Sequence, residues 1–172
     1  MTQIISIANQ KGGVGKTTTA INLSAALAKI GKKVLLVDCD SQANATTGMG
    51  IDKPSLENSL YQGLIGEARL EEIILPTVLP KMMMVPANID LIGFEIEMAN
   101  APGRAKKLKE LLDQLEEPFD FVIIDCPPAL SLLTLNAFTA SDSSRSPFKA
   151  GFTPFEGLGR WLTQSNGCSQ PI

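Results

Sequence analysis

The sequence predicts an α/β fold in which helices cover both faces of a doubly wound, mostly parallel β-sheet. Two observations lead to this prediction. Short runs of branched apolar residues alternate with longer segments of helical periodicity, and the runs are apolar at every position rather than at every second position. A strand of this kind needs cover on both faces of its sheet, as parallel strands have. The 172 residues, 44% of them hydrophobic, suffice for a sizeable core.

Glycine and proline set several of the predicted boundaries. Gly31 ends the first helical pattern, and Pro86 ends a run of three methionines and a valine that we interpret as a buried strand. A stretch rich in Ser, Asn, Thr and Gly at 41–50 is predicted to be a loop. The predicted strands are 4–8, 33–38, 82–85 and 121–124, and the predicted helices are 17–30, 56–64, 69–75, 104–115 and 131–140.

The character of the sequence changes near residue 140. Residues 141–172 contain six Ser, four Gly and three Pro, and no helix or strand period continues through them. The segment 143–148 is too polar to form a buried parallel strand. Composition alone therefore predicts a poorly ordered tail after the main domain.

Composition also excludes several classes of chemistry. Histidine is absent, so a Ser-His-Asp triad and an imidazole-bound zinc are excluded. The cysteines at 39, 126 and 168 form no CxxC pair, which fits a reduced, cytoplasmic protein. The net charge of −3 means that any contact with DNA must be local. We find no signal peptide and no apolar stretch of membrane-spanning length, so no membrane role is expected.

A glycine-rich segment between the first predicted strand and helix has the pattern of a phosphate-binding loop. Glycines there allow backbone N–H groups and the helix N-terminus to face an anion. Lys16 is expected to neutralise phosphate charge, and Thr17 to bind Mg²⁺. The strict pattern needs glycine where this chain has Gln10, so the loop is a variant with an additional lysine. The loop runs Lys11-Gly12-Gly13-Val14-Gly15-Lys16-Thr17-Thr18, and all but the first of these are expected to bind the nucleotide.

Acidic residues lie at the ends of two predicted strands. Asp38 and Asp40 close the second strand, and Asp125 follows the strand at 121–124. In a doubly wound sheet the carboxyl ends of the strands form the edge at which ligands bind. Because a hard cation prefers oxygen ligands, Asp125 is expected to hold a magnesium-bound water. Position alone does not distinguish Asp38 and Asp40 from residues that cap strand ends.

Three segments together resemble the ParA/MinD family of P-loop ATPases. Residues 9–18 resemble its deviant Walker A motif, 38–44 are similar to its DxDxQxN segment, and 121–128 resemble its Walker B strand and switch segment. The resemblance implies a P-loop NTPase fold, ATP and Mg²⁺ as cofactors, and an ATP-sandwich homodimer. It also implies that Lys11 contacts the phosphates of the partner subunit and that Lys16 acts in its own subunit. By the same resemblance Asp40 positions the attacking water, and Asp38 supports the Mg²⁺ shell.

The family resemblance favours one function over two alternatives. It implies a slow partitioning ATPase of the ParA/Soj type, acting in chromosome or plasmid segregation with a ParB/Spo0J-like protein and nonspecific DNA, in the cytoplasm at the nucleoid. The alternatives are a MinD-like division-site ATPase, which would need an amphipathic membrane helix, and an inactive nucleotide-binding fragment.

The resemblance to the family runs to about residue 140 and then weakens. We therefore expect an incomplete P-loop ATPase domain at 1–140, without the family's C-terminal strands, adenine contacts and DNA surface. The aberrant tail at 141–172 is attributed to a shift of reading frame or a sequencing error.

Overall fold

A six-stranded sheet organises the part of the chain that the structure describes, residues 2–116 and 118–147 of a computed structural model. The strand order is β3-β4-β2-β5-β1-β6, with parallel pairing except between β3 and β4. The strands are β1 Gln3–Ile7, β2 Val34–Asp38, β3 Leu75–Pro76, β4 Met82–Val85, β5 Phe121–Asp125 and β6 Ser143–Arg145. The α-helices are α1 Lys16–Lys29, α2 Asn44–Gly48, α3 Leu60–Ile65, α4 Leu70–Ile73, α5 Leu91–Glu97, α6 Lys107–Leu112 and α7 Leu132–Ala140.

The apolar strands bury both of their faces, as the sequence predicts. Along β2, Val34 and Leu36 belong to one core, while Leu35 and Val37 belong to another. Successive side chains of a strand point to opposite faces, so the two cores lie on opposite sides of the sheet. Helix α1 contributes to the first core, and α3 to α7 contribute to the second. The predicted α/β fold with helices on both faces is confirmed.

Most predicted elements are present with shifted ends. Helix α1 ends at Lys29, and Gly31 follows with φ 89°, the left-handed conformation typical of a glycine after a helix. Met82 and Met84 are buried, which supports the interpretation of the methionine run as a strand. The helix predicted at 104–115 is shorter, because a 3₁₀ turn, Arg104–Lys106, precedes α6.

Three elements differ from the prediction. Helix α2 lies within the predicted loop at 41–50, and helix α5 was not predicted. The segment predicted as a helix at 69–75 divides into α4 and the start of the short strand β3. These segments are short, so their helical or strand periodicity is weak in the sequence.

Strand β6 lies in the segment that was predicted to be too polar for a buried parallel strand. Residues 143–145 pair in parallel with β1, although the sequence there is polar. The strand has one neighbour and leaves Ser144 and Arg145 exposed, so it needs backbone hydrogen bonds rather than apolar faces. Ala8 N–H donates to the Arg145 carbonyl at 2.9 Å, and Asp142 N–H donates to the Ile4 carbonyl at 2.9 Å.

The predicted tail lies mostly outside the described residues, at 148–172, and its boundary at 140 stays a prediction. Within the described residues, no helix has both the length and the apolar character needed to cross a membrane.

Candidate nucleotide-binding site

The glycine-rich loop joins β1 to α1 at the carboxyl edge of the sheet. Gly13 and Gly15 have φ of 71° and 87°, the left-handed region in which a side chain is strained. Gly15 is the residue before α1, and its carbonyl accepts a hydrogen bond from Thr19 N–H at 2.8 Å. The loop therefore ends at a helix N-terminus, where unpaired N–H groups are available to an anion.

The space above this loop is open. A Cβ atom added at Gly12, Gly13 or Gly15 would meet no heavy atom of the described residues within 4 Å, apart from its chain neighbours. Gly12 has no positive φ, so neither conformation nor crowding in the described structure requires glycine there. An open cradle of backbone beside a helix N-terminus fits the close approach of phosphate groups.

Lys16 lies over the loop rather than in solvent. Its side chain is buried, and Nζ donates to the carbonyl of Lys11 at 3.3 Å. Thr17 follows it half-buried, and Thr18 is exposed. The ammonium group is thus held next to the cradle, where it can neutralise phosphate charge.

Asp125 is a buried carboxylate whose pKa is affected by two residues at the end of this loop. Its pKa is raised to about 7, mainly by burial, while the hydroxyl of Thr17 and the charge of Lys16 act to lower it. Neither carboxylate oxygen has a hydrogen-bond partner of standard geometry among the described residues. A buried polar atom without a partner requires an explanation, and a hydrated cation supplies one. The hydroxyl of Thr17 and the carboxylate of Asp125 therefore fit Mg²⁺, which takes oxygen ligands and keeps several waters.

Asp38 lies beside Asp125 but has protein partners. Its Oδ2 accepts hydrogen bonds from the N–H and the hydroxyl of Thr46, both at 2.8 Å, and its Oδ1 accepts from Asp40 N–H at 3.1 Å. Burial nevertheless raises its pKa to about 6, against the lowering effect of the Thr46 bonds. In this structure Asp38 holds the following loop together, and its support of the Mg²⁺ shell stays a prediction.

Asp40 is placed by the tight loop that follows β2. Its Oδ1 accepts a hydrogen bond from Gln42 N–H at 2.9 Å, and its carbonyl accepts one from Ala43 N–H at 2.8 Å. Ala43 has φ 53° and is fully buried, an unusual conformation for a residue with a side chain. The charges of Asp40 and Asp38 both act to raise the pKa of Asp125, so the three carboxylates influence one another at this edge of the sheet.

The buried cysteines near the site offer no chemistry of their own. Cys39 and Cys126 follow the ends of β2 and β5 and are both free thiols. Burial raises the pKa of each thiol, so the reactive thiolate is disfavoured. The described residues also contain no group of three or more Cys, Asp or Glu side chains arranged to hold a metal ion. A magnesium site here would need phosphate oxygens and water besides Thr17 and Asp125.

The structure thus brings most of the predicted residues together and adds one that the sequence missed. Residues 12–15 lie in the loop and residues 16–18 begin α1, while Asp38, Asp40 and Asp125 lie at the same edge of the sheet. A single chain does not test the predicted contact of Lys11 with a partner subunit. Thr46 was missed because it lies in a polar segment predicted to be a loop. The start of a helix six residues after Asp38, which places Thr46 in its first turn, would have been the signal.

The parallel sheet, the glycine loop at the N-terminus of α1 and the acidic edge beside it define a P-loop nucleotide-binding protein. Residues 2–170 match the family described as an AAA domain. The chain belongs to this family. The matched range continues past residue 140, where the resemblance was expected to weaken.

The chain is similar to proteins named Soj and ParA. It is 49% identical to the sporulation initiation inhibitor protein Soj of Bacillus subtilis over 94% of this chain and 64% of the relative. It is 46% identical to the chromosome partitioning protein ParA of Myxococcus xanthus, over 91% of this chain and 55% of the relative. The chain thus spans less than two thirds of the length of these relatives.

A solved structure with bound ligands also has the same fold. It is the cobyrinic acid a,c-diamide synthase of Mycobacterium smegmatis, which contains an ATP analogue and magnesium. Its TM-score is 0.91 at 40% identity, over 97% of this chain and 68% of that one.

Proposed function

We propose that this chain binds ATP with Mg²⁺ and hydrolyses it slowly as a partitioning ATPase of the ParA/Soj type. The observation that carries the proposal is the buried carboxylate of Asp125, which has no hydrogen-bond partner of standard geometry among the described residues and lies beside Thr17 and Lys16. Such a carboxylate at the edge of a phosphate cradle is stabilised when a hydrated cation arrives with the nucleotide.

Each group at the site has a distinct part in binding. The N–H groups of residues 12–18 and the ammonium of Lys16 bind the phosphates. Thr17 and Asp125 would hold Mg²⁺, which neutralises charge on the phosphates when it is bound. Asp40 orients the water that attacks the terminal phosphate. Hydrolysis then depends on positioning and charge stabilisation, since phosphoryl transfer requires little covalent participation by the protein.

The proposal includes a dimer and two kinds of partner. Two copies would enclose ATP between them, with Lys11 of each contacting the phosphates bound by the other. A ParB/Spo0J-like protein and nonspecific DNA are the proposed partners, in the cytoplasm at the nucleoid, in chromosome or plasmid segregation. Relatives named Soj and ParA, at 49% and 46% identity, support this assignment.

The names of the similar proteins differ in the reaction that they imply. The synthase is 40% identical to this chain, whereas Soj is 49% identical. The bound ATP analogue and magnesium of the synthase support only the proposed nucleotide site. We base the proposed role in segregation on the relatives of higher identity. A MinD-like role and an inactive nucleotide-binding fragment remain as outcomes of the experiment.

The experiment measures binding, hydrolysis and assembly of the purified chain. A fluorescent ATP analogue reports affinity with and without Mg²⁺, phosphate release reports turnover, and light scattering with a hydrolysis-resistant analogue reports the dimer. We expect Mg²⁺-dependent binding, slow turnover and an ATP-dependent dimer. Binding without turnover would support the inactive fragment, and ATP-dependent binding to anionic vesicles would support the MinD-like role. No nucleotide binding at all would overturn the proposal.

A further inference from the structure

Thr46 forms a buried hydrogen-bond chain between the ends of two strands. Its hydroxyl donates to Asp38 Oδ2 at 2.8 Å and accepts from Ala87 N–H at 2.9 Å. Its own N–H donates to the same Asp38 oxygen at 2.8 Å. Asp38, Thr46 and Ala87 are all fully buried. The hydroxyl therefore connects the end of β2 to the segment after β4 without the help of solvent.

The same carboxylate closes the loop that carries Asp40. Asp38 Oδ1 accepts from Asp40 N–H at the start of the loop, and Asp38 Oδ2 accepts from Thr46 at its end. Between these points Ala43 has a left-handed conformation, which is costly for a residue with a side chain. A strained conformation persists only where the surrounding contacts hold it. The bonds of Thr46 are part of what holds this loop.

The glycine loop takes no part in this chain of hydrogen bonds, although α2, which contains Thr46, packs against α1. Residues 12–18 follow β1 and begin α1, and none of the hydrogen bonds of Thr46 involves them. Binding of phosphates and orientation of water are thus supported by different parts of the structure. Loss of the Thr46 hydroxyl should therefore affect the orientation of water and leave the binding of phosphates unchanged.

We propose that Thr46 is a positioning residue for hydrolysis, whose hydroxyl fixes Asp38 and thereby the loop that presents Asp40 to the attacking water. This inference rests on the proposed function, because it takes Asp40 as the residue that orients water. Thr46 itself does not contact the nucleotide. It acts through Asp38 and through its bond to Ala87.

The chain offers a matched set of variants. Thr46→Val keeps the shape of the side chain and removes the hydroxyl, whereas Thr46→Ser keeps the hydroxyl. Thr47→Val makes the same chemical change one residue later in α2, where the hydroxyl donates only to the nearby carbonyl of Ala43 at 3.0 Å. Thr47 is exposed, so its variant controls for the substitution itself.

We expect T46V to lower kcat about 10- to 100-fold, since small displacements of catalytic groups have effects of this size. The affinity for ATP with Mg²⁺ should stay within about twofold, and T46S and T47V should both keep kcat near that of the unmodified chain. An unchanged kcat in T46V would overturn the inference. So would a loss of kcat in T46S, or a fall in affinity that accounts for the loss of turnover.

Amide hydrogen exchange separates this inference from the proposed function. Under the inference, T46V exchanges faster than T47V at Ala87 and at residues 40–45. Equal exchange in T46V and T47V would overturn the inference about Thr46, whether or not the unmodified chain hydrolyses ATP. Failure of the unmodified chain to hydrolyse ATP would instead overturn the proposed function. If T46V fails to fold, T46S is measured instead. Slow exchange at Ala87 together with a normal kcat in T46S supports the inference. Fast exchange at Ala87 or a reduced kcat in T46S overturns it.

Discussion

Asp38 and Asp125 are paired in register at the ends of β2 and β5, yet their carboxylates have opposite surroundings. Asp38 accepts hydrogen bonds from Thr46 and Asp40, whereas neither carboxylate oxygen of Asp125 has a hydrogen-bond partner of standard geometry among the described residues. Both are fully buried, and burial raises the pKa of both. One carboxylate therefore stabilises the protein's own loop, and the other is available to a ligand.

The stability of the nucleotide-free protein should fall as pH rises from about 4 to 7. The unfolded chain releases the protons of Asp38 and Asp125 near their ordinary pKa of 3.8, while the folded protein retains them up to about 6 and 7. The folded state then binds more protons within this window, so the free energy of unfolding decreases with pH. Urea unfolding at several pH values measures the slope. A free energy of unfolding that increases across this window would contradict the prediction.

Asp125→Asn should stabilise the nucleotide-free protein and remove the effect of Mg²⁺ on nucleotide binding. At pH 8 the variant removes a buried charge, and we expect a gain of about 1 to 3 kcal/mol in the free energy of unfolding. At pH 4, where Asp125 is protonated in the folded protein, the gain should nearly vanish. The increase in melting temperature on adding ATP should lose its dependence on Mg²⁺. Asp113→Asn, at an exposed carboxylate, is the control and should change neither quantity.

Substitution of Lys16 and substitution of Lys11 should have different effects on ATP binding and dimer formation. Lys16→Gln removes the buried ammonium beside the cradle, so we expect ATP affinity to fall at least about tenfold, the loss of one charged contact. Lys11→Gln should keep ATP affinity and lose the ATP-dependent dimer and its turnover, because the proposed contact is to the other subunit. Fluorescent nucleotide binding and light scattering measure the two effects. A dimer that forms normally in K11Q would exclude the proposed contact.

Substitutions at two loop glycines should separate backbone strain from ligand contact. Gly15→Ala forces a side chain into the left-handed region and should cost about 1 kcal/mol in the free energy of unfolding. Gly12→Ala meets neither strain nor crowding, so its effect on stability should stay below about 0.5 kcal/mol. Chemical unfolding without nucleotide compares the two. Equal destabilisation by both variants would show that Gly12 is also required by the fold.

The sequence predicted those parts of the fold whose pattern is local and strong. Strands β2 and β5 are apolar throughout, and α1 has a long helical period with a glycine after its end. The elements that were missed depend on distant partners. Helix α2 begins where Asp38 accepts the N–H of Thr46, and β6 exists because β1 offers an unpaired edge. Neither contact leaves a periodic signal in the neighbouring residues.

The candidate site was predicted from residue types at strand ends, and its hydrogen bonds were not. The sequence placed Asp38, Asp40 and Asp125 at one edge of the sheet, where the structure has them. It could not distinguish Asp38, which accepts three hydrogen bonds, from Asp125, which has no hydrogen-bond partner of standard geometry among the described residues. That difference depends on Thr46, which reaches Asp38 only when the intervening loop folds back. The order of residues along the chain does not show that the loop after Asp38 folds back to bring Thr46 within hydrogen-bond distance.

The position of β1 in the sheet has a consequence for synthesis of the protein. Strand β1 is synthesised before the other five strands of the sheet, but its neighbours are β5 and β6, near the other end of the described chain. At a synthesis rate of roughly 5–20 residues per second, β5 is made on the order of ten seconds after β1 and the glycine loop. Strand β1 lacks this pairing partner during that time. Until then the chain has no place to hold a nucleotide. We expect a nascent chain that stops before residue 121 to remain accessible to proteases, however much ATP is present.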